Sequence, residues 1–128
     1  MKILLDSCTF LWVIWDSPRL TRRARQLYQD PGNQVFLSAV SCWEMSLKYR
    51  LGKLHLAEDP AVLVPEQRVR HGIAPLPLAE DAALQEARLP AHHRDPFDRM
   101  LIAQAIIGGM TILSPDRAFD VYPVKRYW

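Results

Sequence analysis

Two cysteines, Cys8 and Cys42, are too few in 128 residues for a disulfide framework, and they read as buried thiols of a reducing compartment. No apolar run approaches the length needed to cross a bilayer, which excludes a helical membrane anchor within these residues. The first apolar run, Ile3-Leu4-Leu5, meets Asp6 after three residues, too soon for the core of a secretory signal, so a cytoplasmic chain is expected. Charge of one sign is also lacking. With 16 basic and 14 acidic residues the formal charge is +2, which permits an anionic partner without requiring one. There is no internal repeat, linker or low-complexity tract, and the 49% hydrophobic and 23% charged fractions exclude disordered, collagen-like and coiled-coil classes. A single domain over residues 1–128 is expected, large enough to bury its own core.

What is present alternates between short apolar runs and helical patterns. Residues 2–5 and 35–38 read as buried strands, and Met110 to Leu113 as another. Helices are expected over 9–15, 21–28 with Thr21 as N-cap, 59–70 and 80–88. Ser41 and Glu44 have capping-box spacing, which predicts a helix from Ser41 to about Leu51, stopped by Gly52. Ile73 to Leu78 is a proline-broken edge strand. Asp95-Pro96 starts the clearest helix, an N-cap followed by proline at the first position, and Gly108-Gly109 ends it. Val121 to Val124 is expected to form a last edge strand. This alternation predicts a three-layer α/β/α sandwich around a short, mainly parallel sheet.

In such sheets ligands bind beyond the carboxyl ends of the strands. Those positions are acidic here. Asp6 follows the first strand, Glu44 lies in the helix after the second, Asp116 follows the strand ending at Leu113, and Asp98 is in the first turn of the helix leading into that strand. Carboxylate oxygens are the hard ligands that Mg²⁺ and Mn²⁺ prefer, and bound cations would relieve the mutual repulsion of converging acids. Each acid also has a structural reading: Glu44 as partner in a capping box, Asp98 as a first-turn acid facing the helix dipole, and Asp116 as a turn residue. Asp6 interrupts an apolar strand and needs a cap, a partner or a metal.

The segments Asp6-Ser7, Leu37-Ser38-Ala39-Val40-Ser41-Cys42-Trp43-Glu44, Leu51-Gly52-Lys53-Leu54, His93-Arg94-Asp95-Pro96-Phe97-Asp98-Arg99-Met100-Leu101-Ile102-Ala103-Gln104-Ala105 and Ser114-Pro115-Asp116-Arg117-Ala118-Phe119, in this order, closely resemble PIN-domain proteins, specifically VapC-like ribonuclease toxins of type II toxin-antitoxin pairs. The resemblance spans essentially the whole chain. It implies a Mg²⁺-dependent endoribonuclease, Mn²⁺ being an alternative ion, with Asp6, Glu44, Asp98 and Asp116 as catalytic metal ligands. It also implies an RNA substrate, a homodimer or toxin-antitoxin hetero-oligomer, and a cognate VapB-like antitoxin that blocks the site. Ser7 and Ser114 keep a hydroxyl beside the acids, while Cys8 and Thr9 depart from the more usual residues after the first motif.

Arg99 and Arg117 each follow a proposed ligand; Arg99 is a candidate to hold substrate phosphate, and Arg117 reads as a surface ion-pair residue. Lys48, four residues after Glu44, has the spacing of a helix ion pair. Arg19, Arg22, Arg23 and Arg25 form a basic cluster that reads as a solvated face or an RNA contact. Asp95 and Asp120 are further possible ligands, with capping and surface roles preferred. His92-His93 could enter a transition-metal site with Cys8 or Cys42, but no paired-ligand spacing supports zinc. Trp12, Trp15 and Trp43 read as core or as a groove for an amphipathic antitoxin segment. Two other functions compete with RNA hydrolysis: phosphoryl transfer through an aspartyl phosphate on Asp6, opposed by Cys8 standing where a second Asp is needed, and a catalytically silent PIN-like module that binds RNA or protein and uses the acids only as caps.

Overall fold

The computed structural model describes residues 1–128. Strands β1 (Lys2–Leu5), β2 (Gln34–Ser38), β3 (Ile73–Leu76), β4 (Thr111–Leu113) and β5 (Arg126–Tyr127) form one sheet in the order β3-β2-β1-β4-β5. Every pair is parallel, with Leu4 opposite Phe36 on one side and Ile112 on the other. The chain therefore builds outward from β1 in one direction and then returns to build in the other. The carboxyl ends of β1 and β4 flank the resulting switch point, where connections leave a crevice.

Helices α1 (Ser7–Ile14), α2 (Arg22–Gln29), α3 (Ala39–Arg50), α4 (Pro60–His71), α5 (Glu80–Glu86) and α6 (Pro96–Gly108) make the outer layers. Alternation along the strands splits the core in two. Ile3 and Leu5 of β1, Val35 and Leu37 of β2 and Leu113 of β4 join Phe10, Val13, Ala24, Met45 and Val64 from α1 to α4. Leu4 and Ile112 point the other way, into Leu101, Ile102, Ala105, Phe119 and Tyr122. The expected three-layer sandwich is thus what the chain adopts.

Three boundaries differ from expectation, each for a local reason. The helix after β1 starts at Ser7, because Asp6 itself caps it by accepting from the Thr9 backbone N–H at 2.8 Å. The helix after β2 starts at Ala39: Ser38 ends the strand in an extended conformation and its Oγ accepts from Val40 N. Ser41 is consequently inside the helix, buried, with its hydroxyl capping nothing. The last edge strand is not Val121–Val124. Residues Arg117–Val121 form a 3₁₀ turn that buries Phe119, and the chain pairs with β4 only at Arg126–Tyr127. Edge pairing there includes Ile112 N–H to Lys125 O at 2.8 Å and Ser114 N–H to Tyr127 O at 3.2 Å.

The best-marked helix behaves as its sequence indicates. Asp95 caps α6 through Phe97 N and Asp98 N, Pro96 takes the first position, and Gly109 ends it at φ 62°, a left-handed conformation that glycine adopts without strain.

Candidate active site

A cleft at the switch point is lined by Asp6, Ser7, Cys8, Leu11, Trp12, Trp15, Glu44, Met45, Lys48, Lys53, Leu54, Asp95, Asp98, Pro115 and Asp116. All four acids singled out above face it. They arrive from four elements: the end of β1, the second turn of α3, the first turn of α6, and the turn after β4.

Asp6 is buried, and its two oxygens are held separately. Oδ1 accepts from Thr9 N, and Oδ2 accepts from Ser114 Oγ at 2.5 Å across the switch point. Burial raises its pKa above the ordinary carboxylate value; the Ser114 and Thr9 hydrogen bonds pull it back in part, and the Glu44 charge pushes the same way as burial. Ser114 also accepts the Asp116 backbone N–H at 3.0 Å, so one hydroxyl ties two of the acidic positions together.

Glu44 is buried too, with Oε1 accepting from Ser7 Oγ at 2.5 Å and Oε2 from Lys48 Nζ at 2.8 Å. The capping-box role is therefore excluded for Glu44, since Ser38 is the cap. Both serines donate to carboxylates, Ser7 to Glu44 and Ser114 to Asp6. Lys48 carries the helix pair expected from its spacing, and its pKa is raised first by that hydrogen bond to Glu44.

Asp98 is half-buried and accepts from the His93 ring, Nε2 lying 2.9 Å from Oδ2. Its pKa is pushed up to about 6, chiefly by burial; the His93 bond opposes this, and the charges of Asp95 and Asp6 add to it. Asp116 is exposed and caps the 3₁₀ turn through Ala118 N.

Chemically the cleft offers a set of hard oxygen donors, two of which resist ionising together. This suits a hard divalent cation: its charge removes the penalty that burial and proximity impose on Asp6 and Asp98, while Ser7 and Ser114 fix the carboxylates they bond.

Other candidates fall elsewhere. Arg99 does not line the cleft. Its guanidinium donates to the Glu86 carboxylate at 2.6 Å and to the carbonyls of Glu86, Leu89, Pro90 and His93, with a further contact to Tyr122 Oη, which leaves no donor for a phosphate. It secures the loop between α5 and α6. Asp95 is the α6 cap on the cleft wall, and Asp120 pairs with Arg126 on the surface. The basic cluster is largely engaged: Arg25 with Asp16, Arg19 over the Trp12 ring and Arg23 over Tyr127. Cys8 lines the cleft, but burial and the Asp6 charge raise its pKa to about 11, and burial raises that of Cys42, so both stay thiols at neutral pH.

One cleft residue, Lys53, carried no assignment from sequence. Lys53 reaches the cleft because α3 ends in a Schellman turn: Gly52 adopts φ 72°, Gly52 N–H donates to Tyr49 O, and Lys53 N–H donates to Lys48 O at 2.8 Å. The Leu51-Gly52-Lys53 motif was the signal for that turn. His93, weighed from sequence only with the cysteines, instead sits beside Asp98, and Asp98, Asp116 and His93 together present ligand atoms within 4.8 Å of one another.

The family model described as PIN domain matches residues 3–125. A curated relative, Ribonuclease VapC16 of Mycobacterium tuberculosis, is 44% identical over a match that covers 46% of this chain and 45% of that protein. The match thus spans less than half of the relative's length. Among solved structures, VapBC2 from Rickettsia felis bound to a DNA fragment from its promoter superimposes with a TM-score of 0.73 at 14% identity, covering 99% of this chain and 98% of that one. DNA-bound VapBC from Salmonella typhimurium gives 0.71 at 21% identity, covering 99% and 97%. These structural likenesses are of fold. No helix is long and apolar enough to cross a membrane.

Proposed function

This chain belongs to the PIN-domain family, and on that footing we propose that it is a divalent-metal-dependent endoribonuclease, the toxin of a VapBC-type toxin-antitoxin pair. The observation that carries the reading is the convergence of Asp6, Glu44, Asp98 and Asp116 on one cleft at the switch point of the sheet, with hydroxyl donors behind two of them.

Asp6, Glu44, Asp98 and Asp116 are the residues that hold the ion, Mg²⁺ or Mn²⁺. When bound, such an ion lowers the pKa of a coordinated water and neutralises charge developing on a phosphodiester. Ser114 keeps Asp6 oriented and Ser7 does the same for Glu44, so that their carboxylates need little rearrangement. Lys48 and Lys53 supply positive charge on the cleft wall for the RNA backbone. RNA is favoured over DNA because the relative from Mycobacterium tuberculosis is a ribonuclease; the phosphodiester itself does not distinguish them.

The apolar flank of the cleft, formed by Leu11, Trp12, Trp15, Met45 and Leu54, suits an amphipathic antitoxin segment lying across the acids. Trp15 is 51% exposed there, a large apolar surface for a partner to cover. Val62 and Val69 on α4 and Leu84 on α5 are also exposed, which supports self-association or a hetero-oligomer.

The test is cleavage of structured and unstructured RNA by the purified, antitoxin-free chain in Mg²⁺, Mn²⁺ or EDTA, beside folded Asp6→Asn and Asp98→Asn variants. Cleavage that requires metal and is lost in both variants is the expected result. A folded wild type that neither cleaves RNA nor is stabilised by metal would reduce the acids to caps and leave a silent binding module.

A further inference from the structure

His93 stands outside the four acids, yet its ring meets Asp98, one of them. Nε2 lies 2.9 Å from Asp98 Oδ2, and the ligand atoms of His93, Asp98 and Asp116 all lie within 4.8 Å of one another. With metal–ligand bonds of about 2.1 Å, adjacent corners of an octahedron are about 3.0 Å apart and opposite corners about 4.2 Å. The His93–Asp98 separation therefore matches an octahedral edge as well as it matches a hydrogen bond. A proton between the two atoms makes it a hydrogen bond. With the imidazole proton on Nδ1, the Nε2 lone pair and the carboxylate oxygen can both face one cation.

The ring is also held in place. The His93 backbone N–H donates to Tyr122 Oη at 2.8 Å, its carbonyl accepts from Arg99, and its ring meets Phe119 edge-on with centroids 6.5 Å apart. Tyr122 Oη in turn donates to Pro90 O. This lattice of bonds around Arg99 fixes the loop on both sides of His93, which gives the otherwise buried effort of Arg99 a consequence at the cleft.

We propose that His93 is a nitrogen ligand of the divalent ion, completing with Asp98 and Asp116 one side of a mixed nitrogen and oxygen site that selects a first-row transition ion such as Mn²⁺ over Mg²⁺. The proposal rests on the metal-site reading above. An all-carboxylate site suits Mg²⁺, whereas an imidazole adds affinity for transition ions and little for Mg²⁺.

Electron spin-echo modulation of the Mn²⁺-loaded chain tests this without reference to activity. Wild type is expected to show ¹⁴N modulation from a directly bound imidazole. His93→Gln is expected to lose it and to lower the ratio of Mn²⁺ to Mg²⁺ affinity by at least about tenfold, the loss that even outer-sphere partners commonly bring. Of the four histidines, His55, His71 and His92 can be replaced together by alanine, and the signal should survive in that chain, which also decides the matter if His93→Gln does not fold. Bound Mn²⁺ without ¹⁴N modulation, or modulation that persists in His93→Gln, would overturn the ligand assignment. A wild type that binds no Mn²⁺ at all would instead overturn the metal-site reading beneath it.

Discussion

Ser114, at the end of β4, donates its hydroxyl to Asp6 Oδ2, at the end of the adjacent parallel strand β1, over 2.5 Å. The two residues are 108 positions apart in the chain, and the bond crosses the point where the sheet reverses its direction of growth. A buried carboxylate is thereby given a fixed orientation by a neutral donor, one that does not compete with a cation for its charge.

Ser114→Ala should therefore weaken metal binding without emptying the cleft. Losing an outer-sphere partner of a ligand typically costs about 10–100-fold in metal affinity. It should also cost about 1–3 kcal/mol of stability, because Asp6 Oδ2 is left buried without its donor. Metal titration and urea unfolding check both effects, and Ser114→Thr, which keeps the hydroxyl, should recover most of each. Unchanged affinity in Ser114→Ala would remove the serine from the site.

Asp98 predicts a pH dependence of stability in metal-free buffer. Its folded pKa of about 6 is above the ordinary 3.8, so the folded state binds the proton more tightly than the unfolded chain does. The stability this provides is fully present below about pH 4 and is lost as pH rises through about 6. In EDTA, the stability difference between wild type and Asp98→Asn should shift against wild type over that window, and saturating Mg²⁺ should offset the shift. A difference that does not vary with pH would contradict the burial argument.

Lys53 projects into the cleft, is exposed, and makes no ion pair with the acids, unlike Lys48. Lys53→Ala should raise KM for RNA with little change in metal affinity, and should reduce the slope of log affinity against log salt by about 0.7 for single-stranded RNA. Salt-dependence measurements on the two chains check this. An unchanged slope would mean that the lysine does not meet phosphate.

The positions of Asp6 and Asp98 were legible because each has a local signature: Asp6 follows the buried apolar run Ile3-Leu4-Leu5, and Asp98 follows a capped proline start at a spacing that keeps it in the first turn of α6. What sequence misjudged depended on contacts far away in the chain. Ser41-x-x-Glu44 has the form of a capping box, but Ser38, whose Oγ also donates to Gln104 Oε1 at 2.6 Å, ends the strand and starts the helix three residues earlier. Arg99 looked like a site residue because it adjoins Asp98. Successive residues on a helix point about 100° apart, however, so the neighbour of a cleft residue faces another layer. His93 could not be placed, since its position is set by Tyr122 and Arg99 rather than by any helix or strand.

Arg99 should accordingly behave as a structural residue. Arg99→Lys cannot reproduce contacts to the Glu86 carboxylate, four carbonyls and Tyr122 Oη, so its urea midpoint should fall well below that of Arg117→Lys, an exposed arginine. A substitution that lowers RNA affinity while leaving the unfolding midpoint unchanged would return Arg99 to substrate binding.

The central claim, that the convergent acids hold a metal ion, is tested most directly by anomalous diffraction from crystals of the chain soaked in Mn²⁺. The account predicts a strong anomalous peak in the cleft, within bonding distance of carboxylate oxygens from the set Asp6, Glu44, Asp98 and Asp116, and absent in Asp98→Asn crystals. A fully soaked crystal with no peak in the cleft, or with Mn²⁺ bound only at surface acids such as Asp120, would contradict it.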